Sequence, residues 1–324
     1  MLQILPLVLF IVMTEVSIGS VSVLVFLDWR NEVKRGFLIS YALIYLALTG
    51  LTYAFQQGFA YPGLLNTYPQ LDKAWTGYLT LPLLLFFLLL IPYNLFLWID
   101  RKAGVDGKVE QVKAEAQGES RRLSVVRLLR LLSGIATVVA GLVMLLVMAM
   151  IFRPLAAVNL GGAITVAGFF ASAFALGGVL TAMWLGHWYL VTPALSEKPL
   201  QFATTLVLVA ILAQVLFTFT AGPTTVQVNQ PTGSVSVTAP AVTTPVPGNN
   251  VKPANAPVVT PLSTGAIGWI HILVGFILPL VLTALAWKLI RDRSFQSATG
   301  MLYLVVVCTL AGEAMARGLF LMGL

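Results

Sequence analysis

The sequence predicts an all-α integral membrane protein, a bundle of eight transmembrane helices with both termini on the outer, non-cytoplasmic side. Three observations predict it. Hydrophobic residues make up 58% of the 324-residue chain and charged residues only 10%, where a soluble domain carries roughly 25% charged. Eight apolar stretches each reach the roughly 20 residues that a helix needs to cross about 30 Å of hydrocarbon. Lysine and arginine gather in alternate loops between those stretches, the asymmetry that orients membrane helices.

The stretches run over roughly 4–27, 37–57, 77–99, 131–152, 160–185, 202–221, 265–287 and 298–321. No Lys or Arg precedes Arg30, so the first lacks the basic start of a signal peptide and is read as a spanning helix. Helix is the expected state throughout, because an isolated strand cannot satisfy its backbone groups in lipid. The loop near residues 28–36 carries Arg30, Lys34 and Arg35. The loop 100–130 carries eight basic residues, from Arg101 to Arg127 and Arg130. Lys198 lies in the next loop of that set, and Lys288, Arg291 and Arg293 in the last. Fifteen of the 19 basic residues therefore share one side, which the positive-inside rule assigns to the cytoplasm. The net charge of +7 thus reports orientation and not a nucleic-acid partner.

The whole chain reads as one transmembrane domain with two long connections. Residues 100–125 alternate acidic and basic side chains and read as a charged, solvated cytoplasmic loop. Residues 222–263 are rich in Thr, Pro and Asn and nearly uncharged, an outer-side linker without the apolar content to fold alone. No repeat of 20–50 residues is present.

Ionisable and strongly polar residues inside the spans are costly and rank first as sites. Glu15 stands near the middle of the first span, either as a proton-handling or quinol-contacting carboxyl or as an acid bonded to a neighbouring helix. Glu313 and Arg317, four apart, share a face of the last span, as a structural ion pair or as the lining of a polar cavity. His271 lies one to two turns from the outer end of the seventh span, and Gln56 with Gln57 closes the second at the same level. Six residues, Glu15, Gln56, Gln57, His271, Glu313 and Arg317, thus fall between the bilayer middle and the outer surface, and their common depth predicts a shared cavity. His187 lies at the opposite face, within GHWYLVTP. The chain's two histidines cannot share one haem, and its single cysteine, Cys308, excludes an internal disulfide or a CxxC motif. A zinc site lacks ligands, and no Walker, GxGxxG or GxSxG framework occurs, so catalysis within the chain is not expected.

The last span reads LAGEAMARGLF from Leu310 to Phe320, and the first reads LPLVLFIVMTEVSIG from Leu5 to Gly19. Both resemble the membrane anchor subunit of bacterial dimethyl sulfoxide reductase, whose final helix follows the pattern L-A-G-E-x-x-x-R-G-x-F. GFFASAFALGG, from Gly168 to Gly178, is weakly similar to that family's fifth helix. The resemblance implies eight helices with both termini outside. It also implies docking of an iron–sulfur subunit and a molybdopterin catalytic subunit in the bacterial cytoplasmic membrane, and oxidation of a quinol with no redox cofactor held by the anchor itself. Glu313 and Arg317 match family positions. Where the family carries a histidine at the outer end of helix 2, this chain has Gln57 or Gly58, and TGYLTLPLLL lacks the family's helix 3 glutamate.

Three function classes follow. The leading expectation is a membrane anchor of a respiratory oxidoreductase complex that contacts quinol in the outer half of the bilayer. The others are a small-solute or proton transporter or channel, and a structural or assembly protein without a site.

Overall fold

A computed structural model describes residues 4–101, 103–105, 125–156, 162–192, 196–221 and 264–322. Eight long apolar helices account for most of them, and the chain is a multi-pass helical membrane protein. They are α1 (Leu5–Arg30), α2 (Arg35–Phe59), α3 (Thr80–Ile99), α4 (Val125–Phe152), α5 (Ala163–Val191), α6 (Lys198–Ala221), α7 (Thr264–Arg291) and α8 (Phe295–Leu321). Among the described residues, extended pairing is limited to one isolated bridge, Lys34 to Gly104. The expected 222–263 linker and most of the 100–125 loop lie outside the described residues.

α1 is the axis of the bundle. It packs against α2, α4, α5 and α8, and 89% of its spanning window is buried. Its sequence explains that position: Glu15, Ser17, Gly19, Ser20, Ser22 and Asp28 are too polar or too small to face lipid, and all are buried. Gly19 meets α5 at Gly177 so closely that a Cβ on Gly177 would fall on the backbone of Gly19 and Ser20. This is the small-residue contact by which membrane helices associate without a hydrophobic driving force. The outer helices turn large apolar side chains outward, among them Leu81, Leu95, Val143, Leu212 and Leu304, as lipid contact requires.

α7 is interrupted. Thr264–His271 leads into a π-helical turn, Ile272–Ile277, before Leu278–Arg291 resumes the α-helix. Pro279 supplies the reason: it has no N–H for the carbonyl one turn back and its ring crowds that carbonyl. The wider turn sets Gly275 against Gly312 of α8, backbone to backbone.

One sequence expectation is corrected here. The charge pattern puts Arg127 and Arg130 in a loop, but α4 begins at Val125 and takes both into the helix. Arg130 is fully buried. Its Nη1 donates to Asp100 Oδ2 at 2.9 Å, and its Nε lies 3.3 Å from Asp28 Oδ2. Tyr93 Oη donates to the same Asp28 oxygen at 3.2 Å. The two carboxylates supply the partners without which a buried arginine would be very costly. The cluster joins α1 and α4 to α3 and to Asp100, which caps the C-terminus of α3.

Candidate functional site

Glu15, His271, Glu313 and Arg317 converge with Ser172 and Gln214 from five helices. α8 presents Glu313 and Arg317 one turn apart. Arg317 reaches across to α1, where Nη2 donates to Glu15 Oε1 and Nε to Oε2, the latter at 3.4 Å. Its guanidinium also lies over the Phe169 ring of α5, 4.0 Å from the centroid, a cation–π contact strengthened by desolvation. Ser172, one turn further along α5, donates to Glu15 Oε2 at 3.1 Å. Glu15 is wholly buried behind these groups.

Glu313 is held differently. Gln214 of α6 donates its amide to Glu313 Oε1 at 2.5 Å, and the other carboxylate oxygen stands 4.0 Å from Arg317. Arg317 thus ties α8 to α1 and Glu313 ties it to α6. Two carboxyls and one guanidinium share this region, so it is electroneutral only with one further proton or cation.

Glu313, Arg317, Gln214, Ser172 and His271 line a cleft of about 260 Å³ between α5, α6, α7 and α8. His271 stands at the last α-helical residue before the π-turn, with its ring edge-on to Phe276 at 4.8 Å. Phe217, Phe276 and Phe320 supply apolar wall. α7 and α8 meet backbone to backbone at Gly275 and Gly312, and the His271 ring lies against Gly275.

Common depth does not mean common location for all six. Gln56 and Gln57 lie outside the cleft. α2 packs against α1 and α3, and depth along a helix does not set the direction a side chain faces. Gln56 is buried and donates to Thr80 Oγ1 at 3.2 Å and to the Ala60 carbonyl at 3.4 Å. Gln57 donates to Gln56 Oε1 at 2.6 Å. This pair braces the C-terminal end of α2 against the N-terminal end of α3. His187 is exposed at the other end of the bundle.

Two members of the site stand outside the candidates that the sequence ranks. Gln214 is visible as a polar residue in a span, but its pairing with Glu313 is not. Ser172 carries no signal, since serine in a membrane helix satisfies itself on its own backbone as readily as it meets a partner. The buried Asp28–Arg130–Asp100 cluster is also hidden, because its residues sit where loop charges are expected.

No protein-family model, curated protein or solved structure matches the chain.

Proposed function

We propose that the chain is a membrane anchor subunit of a respiratory electron-transfer complex in the bacterial cytoplasmic membrane, and that the cleft between α5 and α8 receives a quinol head group. The observation that carries this reading is the composition of the cleft. A carboxylate, an amide, a hydroxyl and an imidazole line it together with three phenylalanines, and the whole lies between membrane helices. A quinol head needs that combination: an apolar, aromatic-walled slot with a few placed polar groups for its two hydroxyls.

Quinol oxidation yields two protons and two electrons. Glu313 and His271 line the cleft as the groups able to take protons, with Gln214 fixing the carboxylate and Arg317 adding positive charge beside it. The electrons leave to an iron–sulfur partner, as the resemblance of the first and last helices implies. Glu15 acts from behind the cleft, where it neutralises Arg317 and holds it in place.

Titration of the purified protein with a short-chain quinone analogue by calorimetry tests the site. Glu313→Gln and His271→Gln are each expected to weaken binding about tenfold, or about 1.4 kcal/mol, with the fold intact. Unchanged affinity in both variants would remove quinol from the cleft. Mild-detergent purification from native membranes with mass spectrometry tests the anchor role, which requires iron–sulfur and catalytic subunits in equal amount.

The structural or assembly reading draws support from one feature. The Glu15–Arg317 pair is buried and mutually satisfied, as an interhelical tie would be. That reading requires substitutions at Glu313 and His271 to alter stability alone.

A further inference from the structure

At the opposite end of the bundle from the cleft, α1, α4 and α6, with Phe174 of α5, leave a groove of about 470 Å³ between them. Phe26 and Trp29 of α1, Ile135 and Val139 of α4, and Phe202 and Leu206 of α6 form its walls. The Phe26 and Phe202 rings stack at 4.5 Å between centroids. Trp29, Ile135 and Val139 are exposed, so the groove opens toward the bilayer. Its walls offer almost no polar partner for water, and an empty groove would forfeit dispersion contacts along its whole length. A hydrocarbon chain would restore those contacts.

The charge at one end says which chain. Arg30 follows Phe26 by one helical turn, with its guanidinium 5.7 Å from that ring's centroid. Lys198 precedes Phe202 by one turn and Leu206 by two, and is exposed. Arg127 precedes Ile135 by two turns. Each of the three walls therefore carries a basic residue on its groove-lining face, all at the end where α1 finishes and α4 and α6 begin. Glu32 pairs with Arg30 at 2.8 Å, Glu197 with Arg293 at 2.8 Å, and Asp28 and Asp100 with Arg130. Among the described residues at this end, basic side chains outnumber acidic ones once Lys34, Arg35, Arg127 and Lys198 are counted. The exposed Trp29 stands at the same level, as aromatic side chains do at the headgroup boundary.

We infer that this groove binds one anionic phospholipid, with an acyl chain along Phe26, Val139 and Leu206 and the phosphate at the basic end beside Arg30 and Lys198. Basic residues at the mouth of an interhelical slot recognise such head groups. A partner helix fits less well, because the walls carry bulky side chains in place of the small residues that close helix contact requires. An isoprenoid tail would leave the basic end unanswered.

The test uses the full chain reconstituted into bilayers of equal phosphatidylglycerol and phosphatidylcholine, then extracted in mild detergent for native mass spectrometry. The unaltered protein is expected to keep one phospholipid per chain, phosphatidylglycerol several-fold over phosphatidylcholine. Val139→Trp fills the groove and should abolish retention of both. Arg30→Gln combined with Lys198→Gln should keep a lipid and lose the preference. Equal retention of the two lipids by the unaltered protein, undiminished retention by Val139→Trp, or a second copy or an uncharged isoprenoid in place of the phospholipid overturns the inference. Circular dichroism checks that each variant folds, and Leu206→Trp gives the same reading if Val139→Trp does not.

Discussion

At the residue scale, the decisive contrast is between Glu15 and Glu313. Both are carboxyls in the same half of the bundle, and they play different parts because of what surrounds them. Glu15 is wholly buried and receives Arg317 and Ser172. Removing its charge leaves Arg317 in low dielectric without its main partner, a change that typically costs about 3–5 kcal/mol. Glu15→Gln is therefore expected to lower the unfolding midpoint in detergent sharply and to reduce quinone binding only through lost fold. Glu313 faces the cleft and keeps its Gln214 contact as a glutamine, so Glu313→Gln should move binding more than stability. Equal stability loss in the two variants would contradict this assignment. The sequence shows both carboxyls and their shared depth. It does not show that Arg317, one turn from Glu313, turns away to α1, since i to i+4 spacing makes a pair available without obliging it.

At the element scale, two glycine crossings set the architecture around the site. α1 meets α5 at Gly19 and Gly177, and α7 meets α8 at Gly275 and Gly312. The first brings Glu15 and Ser172 within hydrogen-bonding distance, since each lies about a turn from its crossing glycine. The second places His271 and Glu313 on one cleft. Gly177→Ala puts a methyl group against the Gly19 and Ser20 backbone, where no rotamer change relieves it. A loss of about 1–3 kcal/mol is expected from overpacking of this kind, read as a lower thermal midpoint. Gly168→Ala, which meets nothing within 4 Å, is the control and should be neutral. Glycine in a membrane helix announces close approach in general. Which helix approaches is a tertiary fact.

At the scale of the whole molecule, the bundle is polarised. One end holds the cleft. The other holds the buried Asp28–Arg130–Asp100 cluster and the basic groove. Glu15 and Asp28 mark the two along α1, separated by about 20 Å of helix. The basic excess at the Asp28 end leads us to expect that end in the cytoplasm and both termini outside. A periplasm-dependent alkaline phosphatase reporter fused after Leu324 should be active, and one fused within the 100–125 loop inactive. The reverse pattern would invert the topology and move the proposed quinol cleft to the cytoplasmic half.

The sequence by itself determined the fold class, the number of spans and the residues worth suspecting. Those properties depend on local composition: about 20 apolar residues must cross the bilayer as helix whatever their neighbours. An ionisable side chain in such a span is costly enough to mark itself. Only the tertiary structure decided how these residues meet. It joined Arg317 to Glu15 and Gln214 to Glu313, excluded Gln56 and Gln57 from the cleft, and drew Arg130 from an expected loop into a buried cluster. The physical reason is azimuth. Helices apolar on nearly every side carry little periodic signal about which face turns inward, so the rotation of each helix is set by glycine contacts and buried polar pairs formed with distant parts of the chain.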